Sequence, residues 1–226
     1  MASKQNHDIR YEVMTSEHVE EASHVLSEAF LRGDPLSIVV NHPYEVELSS
    51  NINLCKYCVQ EGVSMVAIDN RTEKVVGAIN GLLCHGNDIE LEKPDHPMIT
   101  ADIAPYIIPA MKPYIWALEK SFYEYPDFNK DRDCMILVSC KIGVREDYGG
   151  IGIGTRLAEL RADLCREKDI KFILVTSTGP ISQKLYSKLG YEYISEIPYK
   201  EFEIDGKQPF ASITACSSSK LFVGKL

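Results

Sequence analysis

Asp147-Tyr148-Gly149-Gly150-Ile151-Gly152-Ile153-Gly154 stands between a strand-like apolar run, Met135 to Val144, and a helix-forming run, Thr155 to Lys168. Glycines let a backbone turn sharply and bring successive N–H groups close to an anion, and the N-terminus of the next helix adds partial positive charge. A phosphate or pyrophosphate suits such a loop; a plain turn is the structural alternative. A P-loop ends in Gly-Lys-Ser/Thr, but here Gly154-Thr155-Arg156 follows, which disfavours a nucleoside triphosphate. A dinucleotide loop needs G-x-G-x-x-G near the first strand of a βαβ unit. Gly150, Gly152 and Gly154 have the wrong order, the motif comes late, and no ribose-binding acid follows at the required distance.

Outward from the loop, Phe172 to Thr176 reads as a strand and Ser182 to Leu189 as a helix, giving a β-loop-α-β-α unit. Upstream, Ile9 to Met14 alternates like a strand. Thr15-Ser16-Glu17 then offers caps for a helix with apolar positions Val19, Ala22, Val25, Leu26, Ala29 and Phe30, which Gly33-Asp34-Pro35 stops. A second helix is expected from about Glu45 to Glu61. Ser64 to Asp69 and Lys74 to Cys84 form an expected hairpin around Asn70-Arg71-Thr72-Glu73, with Gly77 and Gly81 as bulge positions. Pro94, Pro97, Pro105, Pro109, Pro113 and Pro126 mark residues 86–133 as an insertion around a helix near Tyr114 to Tyr123. Tyr191 to Ile204 and Pro209 to Val223, divided by Asp205-Gly206-Lys207, read as two closing strands.

At 226 residues the chain suits one α/β domain, residues 1–226, carrying that insertion. Hydrophobic residues make up 45 % and charged residues 25 %, and no stretch reaches the ~18 apolar residues of a membrane span, so a folded, water-soluble protein without a membrane partner is expected. Lys and Arg number 24 against 33 Asp and Glu; the formal charge of −9 opposes a phosphate backbone, excluding nucleic acid as the natural partner, and mildly favours cations. The N-terminal residues lack signal- and transit-peptide patterns, which points to the cytosol, and seven scattered cysteines fit reduced thiols there. The Cys55-Lys56-Tyr57-Cys58 spacing falls mid-helix without a second pair, and the six histidines show no ligand spacing, so no catalytic metal is expected.

The loop resembles the pyrophosphate loop of the GNAT superfamily of acetyltransferases, with Val144 to Gly154 matching its strand-loop-helix. Ile170 to Thr176 resembles the next core strand of that family, and Leu185-Tyr186-Ser187-Lys188-Leu189-Gly190-Tyr191 its late helix and turn. The resemblance implies a mixed, mostly antiparallel central sheet flanked by helices, with acetyl-CoA as acyl donor. It implies cofactor contacts from Ile142, Gly143, Val144, Gly149, Gly150, Ile151, Gly152, Ile153, Gly154, Thr155, Ser182 and Tyr186, with the N–H of Val144 for the oxyanion. The family begins its loop motif with Arg or Gln; here that position is Gly149, so the grip falls to the backbone from Gly150 to Gly154.

A primary ammonium has a pKa near ~10, so about one molecule in a thousand is nucleophilic at neutral pH and a base must take its proton. Glu28 to Ser37 resembles the acid-Pro-Leu-Asn signature of insect-type arylalkylamine N-acetyltransferases, which implies Asp34 as base, one methylene shorter than the usual Glu, with Ser37 in place of Asn. The same resemblance implies that Thr178 and Ser182 assist proton transfer and that Tyr186 protonates the departing sulfur. Each has a structural alternative: turn chemistry before Pro35 for Asp34, a helix N-cap for Ser182, and packing on an amphipathic helix for Tyr186. Tyr148 and Tyr191 read as structural.

The leading expectation is transfer from acetyl-CoA to a small arylalkylamine such as dopamine, by direct attack in a ternary complex, with Tyr106, Tyr114, Trp116 and Phe122 as aromatic contacts or as core. Alternatives are a polyamine acceptor, a non-catalytic acyl-CoA-binding module and a protein-lysine acetyltransferase. The oligomeric state is not legible.

Overall fold

The computed structural model describes residues 8–88 and 111–226. Strand β1 (Ile9–Val13) leads through a 3₁₀ turn at Ser16–His18 into α1 (Val19–Gly33), α2 (Pro35–Val39) and α3 (Tyr44–Glu61). The hairpin β2 (Met65–Asp69) and β3 (Lys74–His85) follows, then α4 (Met111–Glu119), a 3₁₀ segment Lys120–Glu124 and α5 (Pro126–Lys130). The second half runs β4 (Met135–Val144), α6 (Ile153–Glu167), β5 (Phe172–Ser177), α7 (Pro180–Lys188), β6 (Glu192–Pro198) and β7 (Ser218–Lys225). The strands form a seven-stranded sheet in the order β1-β2-β3-β4-β5-β7-β6, antiparallel except for the pair β4 and β5. This is the mixed sheet flanked by helices that the sequence implies.

Period-two alternation distributes the core. Ile173 and Val175 of β5 pack with α6 and α7 on one side, and Phe172 and Leu174 pack with Phe122 and Phe128 on the other. Both faces are covered, as an apolar run such as Phe172 to Val175 requires. On the α1 side, Ala22, Val25 and Leu26 meet Val66, Ile68 and Ala78.

Bulges fall beside both flagged glycines. Between β2 and β3, Ala67 opposes Gly77 and Ile68 opposes Val75, so Val76 is the extra residue. Between β3 and β4, Asn80 opposes Lys141 and Gly81 opposes Ser139, so the extra residue, Cys140, lies across the ladder on β4. This second bulge shifts the alternation: Leu137 before it and Ile142 and Val144 after it face α6, while Gly143 turns under α1, where an added Cβ would lie 2.8 Å from that of Ala29.

Two expectations need correction. Helix α6 opens at Ile153 rather than Thr155, so Gly154 lies inside its first turn. The closing strands are shorter than read: residues 199–217 leave the sheet, and Phe202, Phe210 and Ile213 pack with Leu36, Tyr114 and Tyr199. Apolar residues in that excursion serve a local cluster, which mimics strand composition.

Candidate active site

The central strands part at a defined place. β4 pairs with β5 from Ile136 opposite Phe172 to Ser139 opposite Val175; beyond that, β4 continues with β3 to Val144 and β5 continues with β7 to Ser177. The result is a fork walled by residues 140–144 and 176–178.

Asp34 and Thr178 meet beside this fork. Helix α1 ends as Asp34 takes an extended backbone (φ −86°, ψ 115°), and Pro35, which needs no N–H partner, opens α2. One carboxylate oxygen of Asp34 accepts from the N–H and the hydroxyl of Ser37, both at 2.7 Å, capping α2. The other accepts a short hydrogen bond from Thr178 Oγ1. The turn role and a contact with the implied relay therefore coexist in one buried carboxylate, 7 % exposed. Gly179 permits the approach, since a Cβ there would stand 3.3 Å from the Gly33 carbonyl and from Pro35 Cδ. The carbonyl of Thr178 accepts from the Tyr199 hydroxyl and from Cys216 Sγ at 3.3 Å. Burial, with a lesser push from Asp34, lifts the Tyr199 phenol far above its ordinary range, so it stays a donor.

Ser182 is arranged differently. Gly179 caps α7, and the Ser182 hydroxyl donates back to the Gly179 carbonyl at 3.0 Å, so among the described contacts the relay is joined at Thr178 and not at Ser182. Tyr186 is 1 % exposed, in the core between α6 and the sheet, yet its hydroxyl has no hydrogen-bond partner among the described residues. Its ring tilts against that of Tyr191, centroids 5.2 Å apart. A buried donor without an acceptor costs about 1–3 kcal/mol, which marks this hydroxyl as one that a ligand could satisfy.

In the glycine loop, Gly150 (φ +77°) and Gly152 (φ +94°) adopt left-handed backbone, and a Cβ at either would meet nothing within 4 Å. Open space over two left-handed glycines at the N-terminus of α6 is the cradle a pyrophosphate requires, so the donor fits: the N–H groups from Gly150 to Thr155 would hold its phosphates. Gly149 is extended (φ −66°, ψ 148°) and supplies no side chain, as its sequence implied. Ile142 and Val144 approach Gly154 as the strand side of this cradle. The loop is tethered from below: the Tyr148 hydroxyl donates to Asp69 at 2.5 Å, Arg145 forms a bidentate pair with Asp147, and Arg32 donates to the Val144 carbonyl at 3.0 Å.

Of the aromatic candidates, Tyr114 and Phe122 are wholly buried and packed on other rings, and Trp116 leans on Tyr123. They belong to the core; Tyr106 lies outside the described residues. A groove of about 680 Å³ runs along the outer side of α1, walled by Glu21, Glu28, Arg32, Lys74 and Arg145 among others, and excludes Asp34 and Thr178.

Three buried polar features escaped the sequence reading. Glu119 accepts from Thr176 Oγ1 at 2.8 Å. Glu47 forms a short pair with Lys141 and lies 3.3 Å from His42 Nε2, while Lys141 sits 4.6 Å over the Phe30 ring. Arg161 is wholly buried against the sheet. Each stands in a run that reads as an ordinary charged helix or strand position; Lys141 alone left a signal, a lysine inside an apolar strand.

A model of the acetyltransferase (GNAT) family matches residues 38–191, more than half of the chain. The chain belongs to this family. The match includes the loop, Thr178, Ser182 and Tyr186, and stops short of Asp34. GNAT enzymes take their acyl group from acetyl-CoA, and this chain is an acetyl-CoA-dependent acetyltransferase of that family. Among solved structures, it is similar to an agmatine N-acetyltransferase (TM-score 0.78, 21 % identity, covering 97 % of this chain and 100 % of that one). It is also similar to arylalkylamine N-acetyltransferase 2 from Aedes aegypti (0.75, 21 %, 96 % and 99 %) and to a Drosophila melanogaster polyamine N-acetyltransferase that forms N-acetylagmatine (0.76, 21 %, 97 % and 100 %). At this identity the likeness establishes the GNAT fold. No described helix is long and apolar enough to cross a membrane.

Proposed function

We propose that the chain acetylates the primary amine of a small arylalkylamine by direct attack in a ternary complex, with Asp34 as base and Tyr186 as acid. The contact between Asp34 and Thr178 at the fork supports this reading: a carboxylate held by three donors, the Ser37 N–H and hydroxyl and the Thr178 hydroxyl, lies where the two central strands separate. When bound, acetyl-CoA supplies an activated acyl carbon and a thiol leaving group. Asp34 accepts the proton that the ammonium must lose, and Thr178 keeps the carboxylate turned toward the fork. Tyr186, whose hydroxyl is buried and without partner among the described residues, gives its proton to the sulfur and recovers one from solvent. The backbone of Gly150 to Thr155 orients the donor.

A polyamine acceptor is the second reading, favoured by the likeness to the agmatine and polyamine enzymes. A second ammonium requires a second carboxylate; Glu47 is tied to Lys141 and Glu119 accepts from Thr176 Oγ1, which favours the monoamine. The test is thiol release from acetyl-CoA across dopamine, tryptamine, spermidine and a lysine peptide. Turnover confined to the aromatic amines supports the proposal; turnover confined to spermidine replaces it, and silence on all four rejects it.

A further inference from the structure

Arg161 is 0 % exposed, yet no Asp or Glu pairs with it among the described residues. It projects from α6 onto the sheet, where Nη1 donates to the Asn80 carbonyl at 3.0 Å and Nη2 to Ser139 Oγ at 2.7 Å; Nε has no partner among the described residues. A guanidinium remains protonated throughout the pH range of a folded protein, and a buried charge is tolerated only where something offsets it. Two neutral oxygens do this incompletely.

Its location gives the charge a use. Ser139 is the last residue of β4 paired with β5, and Asn80 stands at the Cys140 bulge, so the guanidinium lies against the apex of the fork. The same side of the sheet holds the Tyr186 and Tyr191 hydroxyls, both buried and without partners among the described residues. Burial raises the Tyr191 phenol to about 12 against a lowering pull from Arg161. Three buried donors thus lie on one side of the sheet without an acceptor among the described residues. Around them stand Cys165 on α6 and, on or across the sheet, Cys55, Cys140 and Lys141; Arg166 lies farther out, tied to Asp163.

We infer that Arg161 is a positioning residue for the acyl transfer, setting a positive charge beneath the point where the donor sulfur is released. The inference rests on the reading of the fork and Tyr186 given above. In the balanced step the amine nitrogen bonds to the acyl carbon and the C–S bond breaks with its electron pair passing to sulfur. Asp34, having passed the ammonium's first proton to solvent, takes the second from nitrogen as the amide forms, and Tyr186 protonates sulfur. Arg161 lowers the cost of negative charge on sulfur before that proton arrives.

The test measures binding without turnover. Calorimetric titrations of the full chain with CoA and with desulfo-CoA, from pH 6 to 10 and without amine, compare ligands that differ in the thiol. The wild type is expected to prefer CoA increasingly as pH rises, with the bound thiol ionising about one pH unit below that of free CoA, a tenfold gain in relative affinity. Arg161→Lys keeps most of this preference and Arg161→Gln loses it. Equal binding of the two ligands by the wild type at every pH overturns the proposal, as does a folded Arg161→Gln that keeps the preference; if the variants do not fold, the wild-type titration alone decides. Failure to bind either ligand removes the donor site and this proposal together. The expected pH preference with no amine acetylated upholds Arg161 and removes the acceptor assignment.

Discussion

Tyr199 is bonded through its hydroxyl to the carbonyl of Thr178, the residue whose own hydroxyl is bonded to Asp34. A phenol on the 199–217 excursion therefore sets the position of a carboxylate on the α1–α2 turn. Tyr199→Phe is expected to lower kcat about tenfold with little change in KM for acetyl-CoA, and to cost about 1–2 kcal/mol in stability, because Cys216 still serves the Thr178 carbonyl. Steady-state kinetics and thermal melts of the variant check both numbers.

Asp34 combines a helix cap with the proposed base, and two substitutions separate them. Asp34→Asn retains a capping side chain and removes the base, so acetyl transfer falls by about 10²–10⁴ with a small change in melting temperature. Asp34→Ala loses both and is destabilised by a further ~1 kcal/mol. Full activity in the Asn variant would refute the assignment of the base.

Tyr186→Phe removes a buried hydroxyl that has no partner among the described residues. Its stability should match or slightly exceed that of the wild type, because no protein hydrogen bond is lost. Its transfer rate should fall by about 10²-fold, the scale of a lost general acid. A loss of stability above about 2 kcal/mol with unchanged rate would show a packing role instead.

Left-handed backbone at Gly150 and Gly152 makes alanine costly by roughly 1–2 kcal/mol at each, although the space is open. The damage should appear as a raised KM for acetyl-CoA with a smaller effect on kcat. Kinetics with the donor varied and the amine saturating measure it.

The Tyr148 hydroxyl, followed by the Arg71 N–H, holds the Asp69 carboxyl below its ordinary value, and Asp69 in turn raises the Tyr148 phenol. The sign follows at both ends of the scale. A depressed carboxyl contributes stability above about pH 4 that disappears as pH falls through its folded value, and a raised phenol contributes stability below about pH 10 that is lost above it. Tyr148→Phe should flatten the melting temperature between pH 2.5 and 5 and between pH 9.5 and 11, relative to the wild type.

The β4-loop-α6-β5-α7 unit was legible because independent signals coincide there: an apolar strand, glycines in a stop-start spacing, and helical periodicity after them. Asp34 and Thr178 could be paired only through the family resemblance, since a contact across 144 residues leaves no local pattern. Gly179 holds the helix cap that was the structural alternative for Ser182, because the chain turns three residues earlier, before Pro180. Arg161 stayed hidden for a different reason: in Leu160-Arg161-Ala162-Asp163 an arginine reads as a solvated position, and only the bulge in β4 shows what draws it inward.

Cys140 makes β4 one residue longer than its partner requires. Deleting Cys140 would bring Ser139 and Lys141 together opposite Gly81 and Asn80, restoring regular alternation while Ile142 and Val144 still face α6 and Lys141 still faces α1. Loss of one residue is therefore compatible with the register at this bulge, and the 199–217 excursion, outside the sheet ladder, can lengthen or shorten while the strands keep their register.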